Sequence, residues 1–363
     1  MLTGAYHLKL KVKKRVFLLS LLVILTVACL CACGVANQPD VTEPPVVTTE
    51  APAITECTHK YVEVEYIKPL ALKDGEVRYE CSLCGDPYVD VIPMTHSLKV
   101  LAIGNSFSVD AVTYLWSICR QAGVIKLVVG NANIGGCSLD KHASMMESGE
   151  AAYTYTKYTT ASPSTQKEVS IDTALLDEEW DIITIQQVSQ NAGRPTTFSK
   201  LDAILDYVSE KRPNADIYWH MTWAYQQDST HGGFANYSND QMKMYEYITA
   251  ATQSIVVPKD RIKGVIPCGT AMQNVRTSTV GDTITRDGYH ASQSIGRYTL
   301  GLTWYAVLTG GPLKEACWYY PSNSEYKKDI EQNFHVIREA VANALEYPYE
   351  VTQSQYYQGA VGQ

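Results

Sequence analysis

Lys99-Val-Leu-Ala-Ile-Gly-Asn-Ser-Phe-Ser108 is the stretch on which the reading of the chain turns. Lys99 to Ile103 is a short apolar run, the pattern of a strand buried on both faces. Gly104 permits a tight turn. Ser106 then falls just past a strand end and near a helix start. A nucleophilic serine gains there, because backbone N–H groups can hold the oxyanion formed on attack. The plainer reading of such a serine is a helix N-cap.

Downstream, strands and helices alternate. Asp110 to Gly123 predicts a helix with Val112, Leu115, Trp116 and Cys119 on its apolar face. Lys126 to Gly130 predicts a second strand and Ser138 to Glu147 a helix. Tyr153 to Ser170 is a polar Thr/Tyr-rich insertion with hairpin character. Asp181 to Ile185 is a third strand, Ser199 to Lys211 a helix, and Ala215 to His220 a fourth strand. Asp240 to Val256 is an amphipathic helix, Gly264 to Ile266 a short fifth strand, and helices follow at Ser292 to Leu308 and Ser324 to Leu345. This order predicts an α/β fold: a parallel sheet of about five strands with helices on both faces. Ligands of such sheets bind beyond the carboxyl ends of the strands. Residues just after each strand are therefore the ones to weigh.

Arg286-Asp-Gly-Tyr-His290 lies near the far end of this domain. An Asp and a His three residues apart can pair within one turn. The carboxylate then fixes the imidazole tautomer, and the other ring nitrogen is free to face a serine. Alone, the same spacing is an ordinary capping turn.

The chain ends are different in character. Lys9, Lys11, Lys13, Lys14 and Arg15 precede an apolar run from Val16 to Leu30, and Leu30-Cys-Ala-Cys-Gly34 follows. Basic-then-apolar segments ending in small residues are export signals. Leu-x-Ala-Cys resembles a bacterial lipobox, with Cys33 as the lipid-attached residue and Cys29 as second candidate. An uncleaved membrane helix is the alternative. Either places the body of the protein outside the cytoplasm, membrane-anchored at the bacterial cell surface. Residues 34–55 are a Pro/Thr-rich spacer. Net charge is −8, with no basic stripe beyond the N-terminus, so nucleic acid is not an expected partner.

Residues 56–97 read as a small Cys/His-rich module. Cys57, His59, Cys81 and Cys84 can supply four ligands to one tetrahedral zinc, as a possible structural metal. The alternative is a disulfide, usual for exported cysteines, which leaves one of the three thiols over.

Taken together, Ala102-Ile-Gly-Asn-Ser-Phe107, Gly135-Gly-Cys-Ser-Leu139, Ile185-Gln-Gln187 and Asp287-Gly-Tyr-His290 make residues 98–348 resemble the SGNH (GDSL-like) hydrolases, in a branch of gut and anaerobic bacteria. The resemblance implies a flavodoxin-like three-layer sandwich and ester hydrolysis through an acyl-serine, with no catalytic cofactor. It implies Ser106 as nucleophile, with Asp287 and His290 as acid and base. Gly136 is implied as an oxyanion donor, together with the N–H of Ser106. Two departures stand out. Asn105 replaces the family's usual Asp. The third block, Gly-x-Asn-Asp, is absent, and Gln187 or Gln190 can take its place. Trp223 and Tyr225 follow the fourth strand and, with Asn105, are candidates for substrate contact, as a sugar ring can stack on an aromatic face. His220, His231, Arg276 and Arg286 read as structural, and Cys119, Cys137, Cys268 and Cys317 as buried thiols. The expected activity is a serine esterase removing O-acetyl groups from an acylated glycan. The rivals are a lipid or thioester hydrolase, a glycan-binding or scaffold lipoprotein that has lost turnover, and an adhesion role for the small module. Residues 349–363 are a C-terminal tail.

Overall fold

The computed structural model describes residues 57–317 and 319–357. Cys33, Cys29 and the Pro/Thr-rich spacer lie outside the described residues.

Two sheets are present. The smaller is antiparallel, in the order β1 (Tyr61–Ile67), β2 (Gly75–Cys81), β3 (Pro87–Ile92). Most of its side chains are exposed, so it has almost no core of its own. The β1–β2 connection docks on the rest of the chain: Leu72 N–H donates to Thr309 at 2.9 Å, and Lys68 pairs with Asp216 at 2.6 Å. Ala71 is buried in the main core.

The larger sheet has seven strands, in the order β10-β9-β8-β4-β5-β6-β7. β4 (Ser97–Gly104), β5 (Lys126–Asn133), β8 (Ile182–Ile185), β9 (Asp216–His220) and β10 (Ile262–Ile266) are mutually parallel. Renumbered among themselves, they run 2-1-3-4-5, the flavodoxin-like order, whose switch point lies between the first strand and the third. Here these are β4 and β8. β6 (Tyr153–Tyr158) and β7 (Ser164–Val169) form the hairpin of the polar insertion and extend the β5 edge antiparallel. The parallel core thus has the five strands expected, and the insertion joins the sheet. The absence of apolar alternation in β7 hid it, because that strand faces water along nearly its whole length.

The helices form two sets. α1 (Ser106–Val112), α2 (Leu115–Ala122), α7 (Cys268–Arg276), α8 (Ile295–Thr309) and α9 (Ser324–Glu346) pack among themselves, as do α3 (Leu139–Ser148), α4 (Ile171–Leu176) and α5 (Leu201–Lys211). β5 meets helices of both sets, which puts the sheet between two helical layers. Val100 to Ile103 in β4 are at most 1% exposed, which explains the unbroken apolar run. Each large aliphatic side chain so buried contributes about 2 kcal/mol.

Several boundaries differ from expectation, each for a local reason. The predicted 110–123 helix is two helices, and the first starts at Ser106. Asn105 rather than Ser106 is its N-cap, its Oδ1 accepting from Phe107 N–H at 3.0 Å. α6 (Gln241–Ala251) gives way to a π-turn over Thr252–Val256. α7 is not anticipated: it is only nine residues long, and its polar residues Thr270, Gln273 and Asn274 are buried against other parts of the chain rather than marking a solvent face.

Candidate active site

β4 and α1 put Ser106 at the switch point. Gly104 is needed there for closeness: a Cβ on it would lie 2.7 Å from Ser108 Oγ and 2.9 Å from the Gln186 amide. Ser106 Oγ lies 2.8 Å from His290 Nε2, and His290 Nδ1 lies 2.7 Å from Asp287 Oδ2. The chain thus brings together three side chains across 184 residues. Asp287 Oδ1 accepts the backbone N–H groups of Tyr289 at 3.2 Å and His290 at 2.8 Å. Burial pushes the Asp287 carboxyl up, but the His290 ring and these N–H donors outweigh it and hold it below its ordinary value. Gly288, with φ of 86°, closes the turn.

The turn rests on buried aromatics. Phe107 stacks on Trp223 at 4.1 Å, and the Trp223 indole N–H donates to the Tyr289 carbonyl at 2.8 Å. Tyr225 and Ser189 share a 2.8 Å hydroxyl bond. Trp223 and Tyr225 are fully buried. They support the site from below and cannot stack a sugar, which corrects the expectation of a substrate rim. The segment after β9 turns inward under the turn, so following a strand did not mean facing solvent.

Asn105 is likewise structural. It is 1% exposed and caps α1, its Nδ2 donates to the Cys137 carbonyl at 3.1 Å, and its Oδ1 accepts from Gln186 Nε2 at 2.9 Å. Gln186 Oε1 in turn meets His220 Nδ1 at 2.9 Å. Burial holds the His220 imidazole down at about 3, so it stays neutral.

A cleft of about 350 Å³ opens over Ser106, bounded by Gly135, Gly136, Gln190, His231, Tyr289 and His290 among others. Gly136 has φ of 61°, a left-handed conformation suited to glycine, and nothing crowds it. Gln190 lines the cleft, and among the described residues its side-chain amide makes no hydrogen bond. Gln187 does not reach it. Its Oε1 accepts from Leu139 and Val188 N–H groups at 3.0 and 2.8 Å, and its Nε2 donates to Thr197. Spacing could not separate these two glutamines; the consumed amide does. His231 reads as structural in the sequence, yet it borders the cleft. Its Nδ1 accepts from Gly233 N–H at 3.0 Å, and its ring meets Tyr289 edge-on at 4.6 Å. Burial, then the neighbouring His290, lower its pKa, partly offset by Asp287. Arg276 pairs with Asp282 at 2.8 Å and Arg286 with Asp110 at 2.9 Å, ion pairs as expected. Nothing in the local sequence sets Asp110 apart from an ordinary helix charge except its place one helical turn after Ser106, on the same face of α1.

Away from the cleft, Cys57, His59, Cys81 and Cys84 bring their ligand atoms within 4.8 Å of one another. Cys57 and Cys81 Sγ are 3.9 Å apart, Cys84 Sγ and His59 Nδ1 are 3.4 Å apart, and Lys60 N–H donates to Cys81 Sγ at 3.3 Å. This cluster can hold a metal.

Residues 99–338 match the family model described as "Domain of unknown function (DUF4886)". That is about two thirds of the 363 residues, and the chain belongs to this family. A DUF4886 family protein from Bacteroides uniformis is 38% identical, with a TM-score of 0.66, over 72% of this chain and 100% of that one. A putative SGNH hydrolase from Slackia heliotrinireducens aligns at 16% identity and a TM-score of 0.36, covering 59% of this chain and 100% of its own. A putative GDSL-like lipase from Parabacteroides merdae aligns at 13% and 0.39, covering 60% and 99%. No curated protein matches the chain.

Proposed function

We propose that the chain is a serine esterase of SGNH type that removes short acyl groups, O-acetyl above all, from carbohydrate. The observation that carries this is the relay Ser106 Oγ, His290 Nε2, His290 Nδ1, Asp287 Oδ2, at 2.8 and 2.7 Å, at the switch point of the sheet. His290 takes the Ser106 proton as Oγ attacks the ester carbonyl, and Asp287 stabilises the imidazolium. The protonated His290 then returns its proton to the leaving alcohol. Water, deprotonated by the same imidazole, releases the acid and restores Ser106.

Backbone N–H groups of Ser106 and Gly136 have no acceptor among the described residues and suit an oxyanion. The Gln190 amide is the side chain we assign as third donor. Loss of one such donor costs about 100-fold or more in rate. Gln190→Ala is therefore expected to lower kcat by about that factor with the melting temperature unchanged. Gln187→Ala should instead lower stability, as it strands buried N–H groups of Leu139 and Val188. Equal kcat in Gln190→Ala and wild type would remove Gln190 from the oxyanion site. The carbohydrate part of the reading is supported by the open cleft, where Ser189, Gln190 and His231 stand beside Ser106 and His290, and by the export signal read in the sequence.

The reading is tested by acetate release from an aryl acetate, and then from acetylated polysaccharide, by the full chain beside Ser106→Ala. Turnover that survives in the mutant, or inertness of both on every ester, overturns it. We further propose attachment to the membrane through lipid on Cys33, checked by loss of metabolic palmitate labelling in Cys33→Ala.

For the small sheet we propose a structural zinc. Tetrahedral zinc, with Zn–S about 2.3 Å and Zn–N about 2.0 Å, sets two sulfurs about 3.8 Å apart and a sulfur and a nitrogen about 3.5 Å apart. The 3.9 and 3.4 Å separations match those edges. The Lys60 N–H bond to Cys81 is the outer-shell contact a ligating thiolate takes.

A further inference from the structure

Asp110 has no exposed surface and lies on α1, one turn after Ser106. Both its oxygens accept from Arg286 Nη1, at 2.9 and 3.0 Å. Oδ1 also accepts from Arg297 Nε at 2.9 Å and pairs with Nη2 at 2.8 Å. Oδ2 accepts the Ala291 N–H at 3.0 Å. Arg286 and Ala291 flank the Asp287–His290 turn, one on each side, and Arg297 sits in the first turn of α8. One carboxylate therefore joins the serine's helix, both ends of the acid–base turn, and the following helix.

The other ties on this turn run elsewhere. Trp223 holds the Tyr289 carbonyl, and Gln226 N–H donates to the Gly288 carbonyl at 2.8 Å. Both come from the segment after β9. Among the described residues, Asp110 is the only hydrogen-bonded connection from α1 to the turn besides the Ser106–His290 bond itself. That bond is given up as Oγ passes its proton to His290 and attacks, so it cannot by itself hold α1 and the turn in register.

We infer that Asp110 is a positioning residue that sets the reach between Ser106 and His290. It touches neither side chain. It fixes the two segments that carry them: Arg297 grips Oδ1 through two nitrogens, Nε and Nη2, and Arg286 reaches both oxygens through Nη1. The inference rests on the esterase reading for its kinetic consequence, but not for its structural one.

Asp110→Asn in the full chain keeps the side-chain shape and removes its charge. A misplacement of about 1 Å between reacting groups costs about 100-fold. The expected result is a kcat on aryl acetate lowered by about 100-fold with KM little changed. The nitrogen chemical shifts of the His290 ring, assigned with His290→Gln, should move toward those of an imidazole released from Ser106. Arg286→Lys keeps a cation on a shorter side chain, which draws the nitrogen back from the place Nη1 holds between Asp110 and the Ala291 carbonyl, and should fall between. If Asp110→Asn does not fold, Arg286→Lys decides on the same two readouts.

A folded variant with unchanged kcat and unchanged ring shifts overturns the inference, even if it melts earlier. If wild type itself is inert, the esterase reading has failed. The ring shifts then decide alone: movement in Asp110→Asn supports the positioning role, and unchanged shifts end it.

Discussion

Asp287→Asn is expected to lower kcat by about 10⁴-fold while the protein stays folded. The side chain is held by two kinds of contact. Oδ1 accepts two backbone N–H groups, which an asparagine oxygen can still do. Oδ2 faces His290 Nδ1 at 2.7 Å, and there an amide nitrogen would donate rather than accept. The imidazole must then present a bare Nδ1 and carry its proton on Nε2, facing Ser106, where it cannot act as base. The measurement is kcat on an aryl acetate beside a thermal melt. A drop of less than about tenfold would mean that Asp287 does not set the tautomer. The pH dependence follows the same contacts. The Asp287 carboxyl is held below its ordinary value, so its charge is present throughout the range above about pH 4 and is lost only as pH falls through its lowered pKa. An acid limb at weakly acidic pH therefore does not come from Asp287.

On the zinc proposal, chelation is expected to unfold the small sheet while hydrolysis survives. Residues in β1 and β3 are mostly exposed, and so small an element cannot be held by apolar burial alone. Apparent binding free energies for structural zinc are about 10–16 kcal/mol in finger peptides, and for such modules this is folding free energy. Chelation, or Cys81→Ser, should expose the backbone amides of residues 75–92 to fast hydrogen exchange. The docked loop at Lys68 to Leu72 should keep much of its protection, because its partners Asp216 and Thr309 belong to the main domain. About one zinc per chain by elemental analysis completes the test. Slow exchange in chelator, together with a Cys57–Cys81 disulfide by mass spectrometry, would replace the metal with an oxidised pair.

Much of this was written in local sequence. The β4 run is legible because a strand covered on both faces has no polar alternation to confuse it. Asp287 and His290 are legible because both partners sit in one turn. The Cys/His spacing is legible because two short ligand pairs need only be brought together. What failed to show had physical reasons too. Trp223 and Tyr225 lie past a strand end, yet the chain there dives beneath the turn, and only tertiary packing decides that. Gln187 and Gln190 differ in which neighbours consume their amides, which no spacing records. Asp110 reads as a routine helix charge until Arg286 and Arg297 arrive from 176 and 187 residues away.

The hairpin of β6 and β7 has a consequence for life at high concentration. A parallel sheet that ended at β5 would offer an unpaired row of N–H and C=O groups to any passing strand, the usual seed of cross-strand aggregation. β6 covers that row with buried Tyr153 and Tyr155 on one side of its backbone. β7 then presents Ser164-Thr-Gln-Lys-Glu-Val169 as the new margin, hydrophilic and carrying Lys167. Glu168 adopts φ of 53°, and the pairing slips in register near it, so the outermost strand is bent as well as charged. A neighbour docking there would meet a kinked, hydrated border in place of a flat template, and this edge of the sheet is thereby guarded against stacking with its own kind.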